Sequence, residues 1–386
     1  EQALEICDKV VVLIMLNSSK SGTLTFDERL AHAKLAFRRI IGPRIDIMVS
    51  NGTMVDQFLK HGCDVLIRGV RDRKDADYER TYVDAQRDLF PWFKAPVETL
   101  TARGAFKTIS SSLIKEGIKY FVAVDRFVPV ATHQLLQEKI NGQHLIGVTG
   151  GIACGKTTTI ANFRSFLLAT FGFETHVIVV DQLLRDLYAD RESRDCQRIR
   201  RELAKRFGSQ VLTADGFDVN RAFLAKKLMD GSPEASAHLR FVEELTMPSV
   251  RRLFHERLSE IRSKAAPHVK QLIFIEWAQA VSSGLSRWSN NVMIVVDAPA
   301  KERNTAVERR NIPPERFAAT RAVQGSGKEI AGALRTRVDR DDAGCVIEFE
   351  NRWLSPSVVV EADYHRLAEQ IFHLFPGVDP RPEKMS

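Results

Sequence analysis

At 386 residues the chain is longer than one hydrophobic core usually supports, so two domains are expected. Apolar residues make up 44% and charged residues 27%, the proportions of a globular protein, and no apolar run reaches the length of about eighteen residues that spans a bilayer. The net charge of +7 suits any protein that attracts phosphate anions, but the basic residues are spread along helix-like segments such as "RDCQRIRRELAKR" (194–206), so neither nucleic acid nor a membrane is an expected partner.

The first residues, "EQALEICDK" (1–9), read as helix, without a methionine or a leader. β-branched runs then alternate with helical patterns: "VVVLIML" (10–16), helix 25–41, "IDIMVS" (45–50), helix 54–62, "CDVLIRGV" (63–70) and helix 75–90. "PVETLT" (96–101), "ISSSLIKEG" (109–117) and the amphipathic "VPVATHQLLQEKI" (128–140) follow. This alternation predicts parallel βαβ units and a first, Rossmann-like α/β domain over 1–140. "NGQH" (141–144) reads as a linker. A second α/β domain over 145–375 is framed by "LIGVTG" (145–150), "THVIVVD" (175–181), "QLIFIEW" (271–277), "NVMIVVDA" (291–298) and "CVIEFE" (345–350). Its middle, about 183 to 264, reads as helix after helix, the shape of a P-loop kinase with a helical lid or substrate insertion. "PGVDPRPEKMS" (376–386) is expected to be a disordered tail. Cys7, Cys63, Cys154, Cys196 and Cys345 lie far apart with no CxxC pair, which predicts neither disulfides nor zinc and a reducing, cytoplasmic setting.

Gly150, Gly155, Lys156 and Thr157 satisfy G-x4-G-K-[ST] between a predicted strand and a predicted helix, the context a phosphate-binding loop needs. The glycines, Gly151 among them, let backbone N–H groups surround a phosphate. Lys156 is then expected to reach the β- and γ-phosphates of ATP, and Thr157, with Thr158 beside it, to bind nucleotide and ligate Mg²⁺. A chance glycine-rich turn is the competing reading, and the strand–helix placement argues against it. A kinase also needs a group that orients or deprotonates the acceptor hydroxyl. Asp181, at the end of the second strand of this series, is expected at the same sheet edge, with a helix N-cap as its competing role. Cys154 could carry a reactive thiol beside the helix N-terminus, but a small side chain that simply fits is the preferred reading.

With these residues placed, the second half resembles the dephospho-CoA kinase family over most of its length. The likeness rests on "IGVTGGIACGKTT" (146–158), "DQLLR" (181–185) and "RFGSQVLTADGFDVNRAFLAKKLMDGSPEASAHL" (206–239). It implies that ATP and Mg²⁺ serve to phosphorylate dephospho-CoA. It also implies that Asp181 acts as base, that Thr149, Arg185 and Arg221 lie near acceptor or phosphates, and that Arg310 lies near ATP. The chain departs from the family pattern at Met247-Pro248, where His-Pro is common, and at "EWAQAVSSGL" (276–285), where Glu276 replaces an aspartate and a Pro-Leu-Leu is gone. Ala306 stands where an arginine is usual, and Gln324 fits a lid glutamine only with a one-residue shift. These departures bear on acceptor binding.

In the first half, "LIRGVRDRKDADYERTYVDAQRDL" (66–89) and "FKTISSSLIKEG" (106–117) resemble the bacterial phosphopantetheine adenylyltransferase family. The resemblance implies ATP and 4′-phosphopantetheine as ligands and Lys20, Arg68, Arg71, Glu79, Ser110, Ser111 and Ser112 as site residues. The three serines open a helix whose N–H groups can hold a triphosphate. Tyr82 and Gln86 replace a methionine and an asparagine usual in the family. Read alone, the arginines are surface charge and the serines an N-cap cluster. The family's T/HxGH motif is not found, and neither His32 nor His61 is expected to replace it. Either the chain is a fragment of a longer one or this domain does not catalyse.

Together the two resemblances imply consecutive steps of coenzyme A biosynthesis in one bifunctional protein. Two other readings stay open: a P-loop kinase of another nucleoside or nucleotide, and a non-catalytic ATP-binding protein. Oligomeric state is not readable from the sequence.

Overall fold

The computed structural model describes residues 2–380 apart from 16–21, 39, 41, 43, 51, 123, 229–231, 267–268, 280–282 and 379. The chain divides into two compact units, Glu1–Ile118 with Ala123–Thr132, and Lys119–Val122 with His133–Ser386.

Unit 1 runs α1 (Gln2–Ile6), β1 (Val10–Met15), α2 (Phe26–Phe37), β2 (Ile45–Ser50), α3 (Met54–Lys60), β3 (Leu66–Val70), α4 (Arg73–Leu89), β4 (Val97–Thr101) and α5 (Ser111–Lys119). Its helices start where short polar side chains satisfy their free N–H groups. Thr25 with Glu28 and Thr53 with Asp56 form capping boxes, and the Asp72 side chain accepts from the N–H of Asp75. The predicted βαβ alternation is present, but the strands form two separate parallel pairs, β1 with β2 and β3 with β4. Every residue of β1 is only half-buried, and the largest described cluster of buried apolar residues in the unit is small, Met54, Val55, Phe93 and Ala95, with Ile45, Val70, Val83, Ile114 and Ile118 buried outside it.

The division between the units falls inside α6 (Val130–Asn141). Unit 2 continues with β5 (Gln143–Thr149), α7 (Lys156–Phe171), β6 (Thr175–Val179), α8 (Val180–Ala189), α9 (Arg194–Phe207), α10 (Arg221–Leu228) and α11 (Pro233–Lys264). Then come β7 (Gln271–Glu276), β8 (Val292–Asp297), α12 (Ala300–Arg309), α13 (Pro314–Gln324), α14 (Gly327–Asp341), β9 (Cys345–Glu350) and α15 (Ser357–Leu374). The five strands form one parallel sheet in the order β6-β7-β5-β8-β9. Strands buried on both faces read as continuous apolar runs, as "QLIFIE" and "VMIVVD" do. Successive side chains feed opposite layers. Ile273, Ile275, Met293 and Val295 pack with helices α8, α9 and α11, whereas Leu272, Phe274, Ile294 and Val296 pack with α7 and α15.

The structure corrects three boundaries. The predicted linker 141–144 is not a linker: α6 runs through Asn141, and β5 begins at Gln143, leaving only Gly142 between them. Gln143 is buried because its amide donates to the Leu258 carbonyl and to the Gln271 side chain, so the strand is anchored from its first residue. The strand predicted over 175–181 stops at Val179, and Asp181 lies in the first turn of α8. Of the expected tail, Pro376–Val378 form a 3₁₀ turn with Val378 buried, and 379 and 381–386 lie outside the described residues.

Candidate active sites

The phosphate-binding loop of unit 2 joins β5 to α7. Its backbone needs glycine. Gly150 has φ 153° and Gly155 φ 83°, and a Cβ at either would run into the Val296 carbonyl or the Asn351 amide. Asn351, just past the end of β9, is buried and donates to the Cys154 carbonyl at 3.0 Å, holding the loop in place. Gly155 is the N-cap of α7 and offers no side chain to its N–H groups, which leaves the helix N-terminus open to an anion. The Lys156 ammonium donates to the carbonyls of Gly150 at 2.9 Å and Gly151 at 3.1 Å, folded back over the loop that precedes it. The Thr157 hydroxyl donates to the Glu276 carboxylate at 2.6 Å, and Thr158 is exposed beside it. Glu276 ends β7, is buried, and keeps its second oxygen without a partner. An exposed hydroxyl beside a buried carboxylate with a free oxygen is a donor set that fits a hard divalent cation. Among the described residues no group of three His, Cys, Asp or Glu forms a metal cluster, and Mg²⁺ at nucleotide sites needs only one or two protein ligands.

Cys154 is buried beneath the loop, and burial pushes its thiol up, outweighing the opposing pull of Lys156. Burial of the thiol accords with the preferred reading of Cys154 as a small side chain that fits.

A cavity of about 320 Å³ lies within unit 2, and Lys156 of the loop is near enough to one of its lining residues, Asp181, to act on its charge. Asp181 and Arg185 border it from α8 and Arg221 from α10, so three of the predicted residues come together. Asp181 is not a cap, since α8 starts from Val179 without a side-chain cap. Its side chain is open to the cavity, but the surrounding protein raises its carboxyl above the usual range, against the lowering influence of Lys156 and Arg185. Met247 and Gln324, two of the departures noted above, also line the cavity, as do Leu184, Leu224 and Trp277. Thr149 is wholly buried at the end of β5, with its hydroxyl 3.5 Å from the Ala278 carbonyl. Arg310 is the exposed C-cap of α12, and it is Arg303 of that helix that reaches the sheet edge, pairing with Asp297 at the end of β8.

In unit 1, Arg68 on β3 pairs with Glu79 on α4 and lies over the Tyr82 ring. Arg71, just past β3, forks onto Asp75 at 3.0 and 3.1 Å and reaches toward the Ile109 carbonyl. That carbonyl precedes Ser110, whose hydroxyl accepts from the N–H of Leu113 and so caps α5. Ser111 and Ser112 are exposed in the first turn. The strand end carrying Arg71 and the N-terminus of α5 therefore meet, while Lys20 lies outside the described residues. His32 faces Thr132 at 3.1 Å, and His61 is the C-cap of α3.

Comparison with known proteins is specific for both units. The dephospho-CoA kinase family matches residues 144–333. The N-terminal part is similar to curated phosphopantetheine adenylyltransferases, 34% identical over 140 residues to that of Cutibacterium acnes, which covers 36% of this chain and 85% of the relative. The chain belongs to the phosphopantetheine adenylyltransferase family, fused to a dephospho-CoA kinase region. The Rhizobium meliloti adenylyltransferase is 32% identical over 143 residues, 36% of this chain and 85% of that relative. A crystal structure of TT1252 from Thermus thermophilus is 27% identical and covers 60% of this chain and 98% of its own, with a TM-score of 0.40.

Several residues of the kinase region escaped the sequence reading. Glu276 was visible only as a departure from pattern, and its bond to Thr157 needs β7 to lie beside β5. Asn351 lies 196 residues from Gly155 in the chain and meets it only through the sheet order. Tyr188 and Glu243 gave no motif signal, yet both line the cavity beside Asp181.

Proposed function

We propose that unit 2 transfers the γ-phosphoryl group of ATP to the ribose 3′-hydroxyl of dephospho-CoA, and that unit 1 transfers an adenylyl group from ATP to 4′-phosphopantetheine. The two steps are consecutive in coenzyme A biosynthesis, and the reading puts the protein in the cytoplasm. The observation that carries the kinase half is the convergence of Asp181, Arg185 and Arg221 at one cavity of the matched region, with Lys156 of the loop near enough to Asp181 to act on its charge.

On this reading the N–H groups at the start of α7 and the Lys156 ammonium hold the β- and γ-phosphates. Lys156 leaves the Gly150 and Gly151 carbonyls to do so. Asp181 accepts the 3′-hydroxyl proton as the new O–P bond forms and the bond from the γ-phosphorus to the bridging oxygen breaks, releasing ADP. Arg185 and Arg221 draw the acceptor's phosphates to the cavity mouth. Mg²⁺, when bound, neutralises charge on the phosphates, and the Thr157 hydroxyl and the Glu276 carboxylate are the groups that would hold it. In unit 1, Arg71, Arg68 and the N-terminus of α5 with Ser110, Ser111 and Ser112 are the groups that bind the triphosphate, together with Lys20, and Glu79 holds Arg68.

The kinase assignment is tested with Lys156→Ala. Phosphoryl transfer to dephospho-CoA should fall by about 10² or more, the scale for losing one preorganised donor to transferring charge, while the thermal midpoint stays put because the ammonium is a loop ligand and not core. Undiminished turnover would take the loop out of the reaction.

A further inference from the structure

The cavity beside Asp181 contains polar groups that the reaction does not use. Tyr188 is 3% exposed and its hydroxyl has no partner, and one carboxylate oxygen of Glu243 is likewise buried and unpartnered. Both residues line the cavity, Tyr188 from α8 and Glu243 from α11, among the apolar walls of Leu184, Leu224, Val242 and Trp277. Burying a hydrogen-bonding group without a partner is costly, so two such groups at one cavity mark a place where a ligand completes them.

We propose that Glu243, supported by the Tyr188 hydroxyl, hydrogen-bonds the edge of the acceptor's purine base and so sets which acceptor the kinase takes. The inference rests on the reading of unit 2 as a dephospho-CoA kinase and adds to it the part of the substrate that is read and the side chain that reads it. The covalent structure of the acceptor favours the base over the pantetheine arm. The base hangs from the same ribose whose 3′-hydroxyl Asp181 addresses, whereas the arm is reached only through the 5′-pyrophosphate. A purine is a flat apolar ring with hydrogen-bonding groups confined to its edge, which matches apolar walls with two polar groups among them. Burial pushes the Glu243 carboxyl up, toward the neutral form that donates one hydrogen bond and accepts another, the pairing that the N1 and amino group of adenine offer. Glu243 is a specificity residue on this account: it touches the base and not the reacting atoms.

The test is steady-state kinetics with ATP on the full chain, Glu243→Gln and Glu243→Leu. Each is assayed with dephospho-CoA and with its analogue carrying hypoxanthine in place of adenine. The expected result is a KM for dephospho-CoA raised about ten- to hundredfold in Glu243→Leu and less in Glu243→Gln, with kcat within about twofold and KM for ATP unchanged. Base swap and Glu243→Leu should be non-additive, because they remove the same contact. Neither variant should lose thermal stability, since an unpartnered buried carboxyl leaves, and Glu243→Gln carries the test if the leucine variant does not fold. Unchanged acceptor KM in both variants overturns the proposal. So does a fall in kcat together with melting temperature, which marks a structural role, and so does an additive base swap, which points Glu243 at the arm. A wild-type chain that does not turn over dephospho-CoA overturns the kinase reading itself, and this inference with it.

Discussion

At the scale of single residues, the account depends most on Asp181. Its carboxyl is raised by the protein around it, with Lys156 and Arg185 opposing. A base must be ionised to accept a proton, so kcat should fall as pH drops through this raised value. The acid limb therefore lies above the ordinary aspartate value near 3.9, and a pH–rate profile reads it directly. Asp181→Asn should slow the chemical step by about 10² to 10⁴ and abolish that limb. The stability effect has the opposite sign. A carboxyl whose folded pKa is raised holds its proton more tightly folded than unfolded, so the ionised Asp181 costs stability at neutral pH, and the asparagine variant should melt no lower than the parent. Retained turnover with a lowered melting point would leave Asp181 as a structural residue. The glycine-lysine motif was legible because its residues are neighbours in sequence, whereas Asp181 was picked out only by its place after an apolar run. Glu243 and Tyr188 were not, since 55 residues separate them and only the packing of α11 on α8 gives them one cavity.

At the scale of elements, hydrophobic period and length identified the strands of unit 2, because strands buried on both faces leave continuous apolar runs. Ends were harder. Asp181 belongs to α8 and not to the strand expected of it: "VVD" continues the β-branched run that precedes it, and the helix start has no side-chain cap to announce it. The linker misjudged at 141–144 looked polar, but polar strand ends can be buried when they pair, as Gln143 does with Gln271. Asp341, the last residue of α14, makes a comparable anchor. It accepts from Arg287 at 2.8 and 2.9 Å and from Asn291 at 3.1 Å, and Arg287, the first influence among these, holds its carboxyl well below the usual range. Such a group stabilises the fold above its unfolded pKa, and that contribution is lost as pH falls below it. Asp341→Asn should therefore cost about 1.5–3 kcal/mol at neutral pH, and the difference from the parent should shrink in acid. Equal urea midpoints at pH 7 would contradict this anchor.

At the scale of the whole molecule, the two units differ in how they are built. Unit 2 has a five-stranded sheet with a hydrophobic layer on each face, whereas the described strands of unit 1 form two pairs over a small core. Two-stranded sheets are marginal on their own. Hydrogen exchange should accordingly find the amides of β1 and β2 much less protected than those of β5, β7 and β8, and heating should release unit 1 first. Equal protection would show that unit 1 is stabilised by something beyond these pairs. The alternation of strands and helices in unit 1 was legible in the sequence, but the pairing was not, because strand partners are chosen by long-range contacts that no local pattern records.

The most direct measurement incubates the full chain with ATP, Mg²⁺ and dephospho-CoA and identifies the product by mass spectrometry and phosphorus NMR, with adenosine and other simple nucleosides in parallel. The account predicts ADP and an acceptor carrying one new phosphomonoester on its ribose 3′-hydroxyl, with the nucleosides turned over far more slowly. ATP bound without turnover, or a nucleoside preferred to dephospho-CoA, would contradict it.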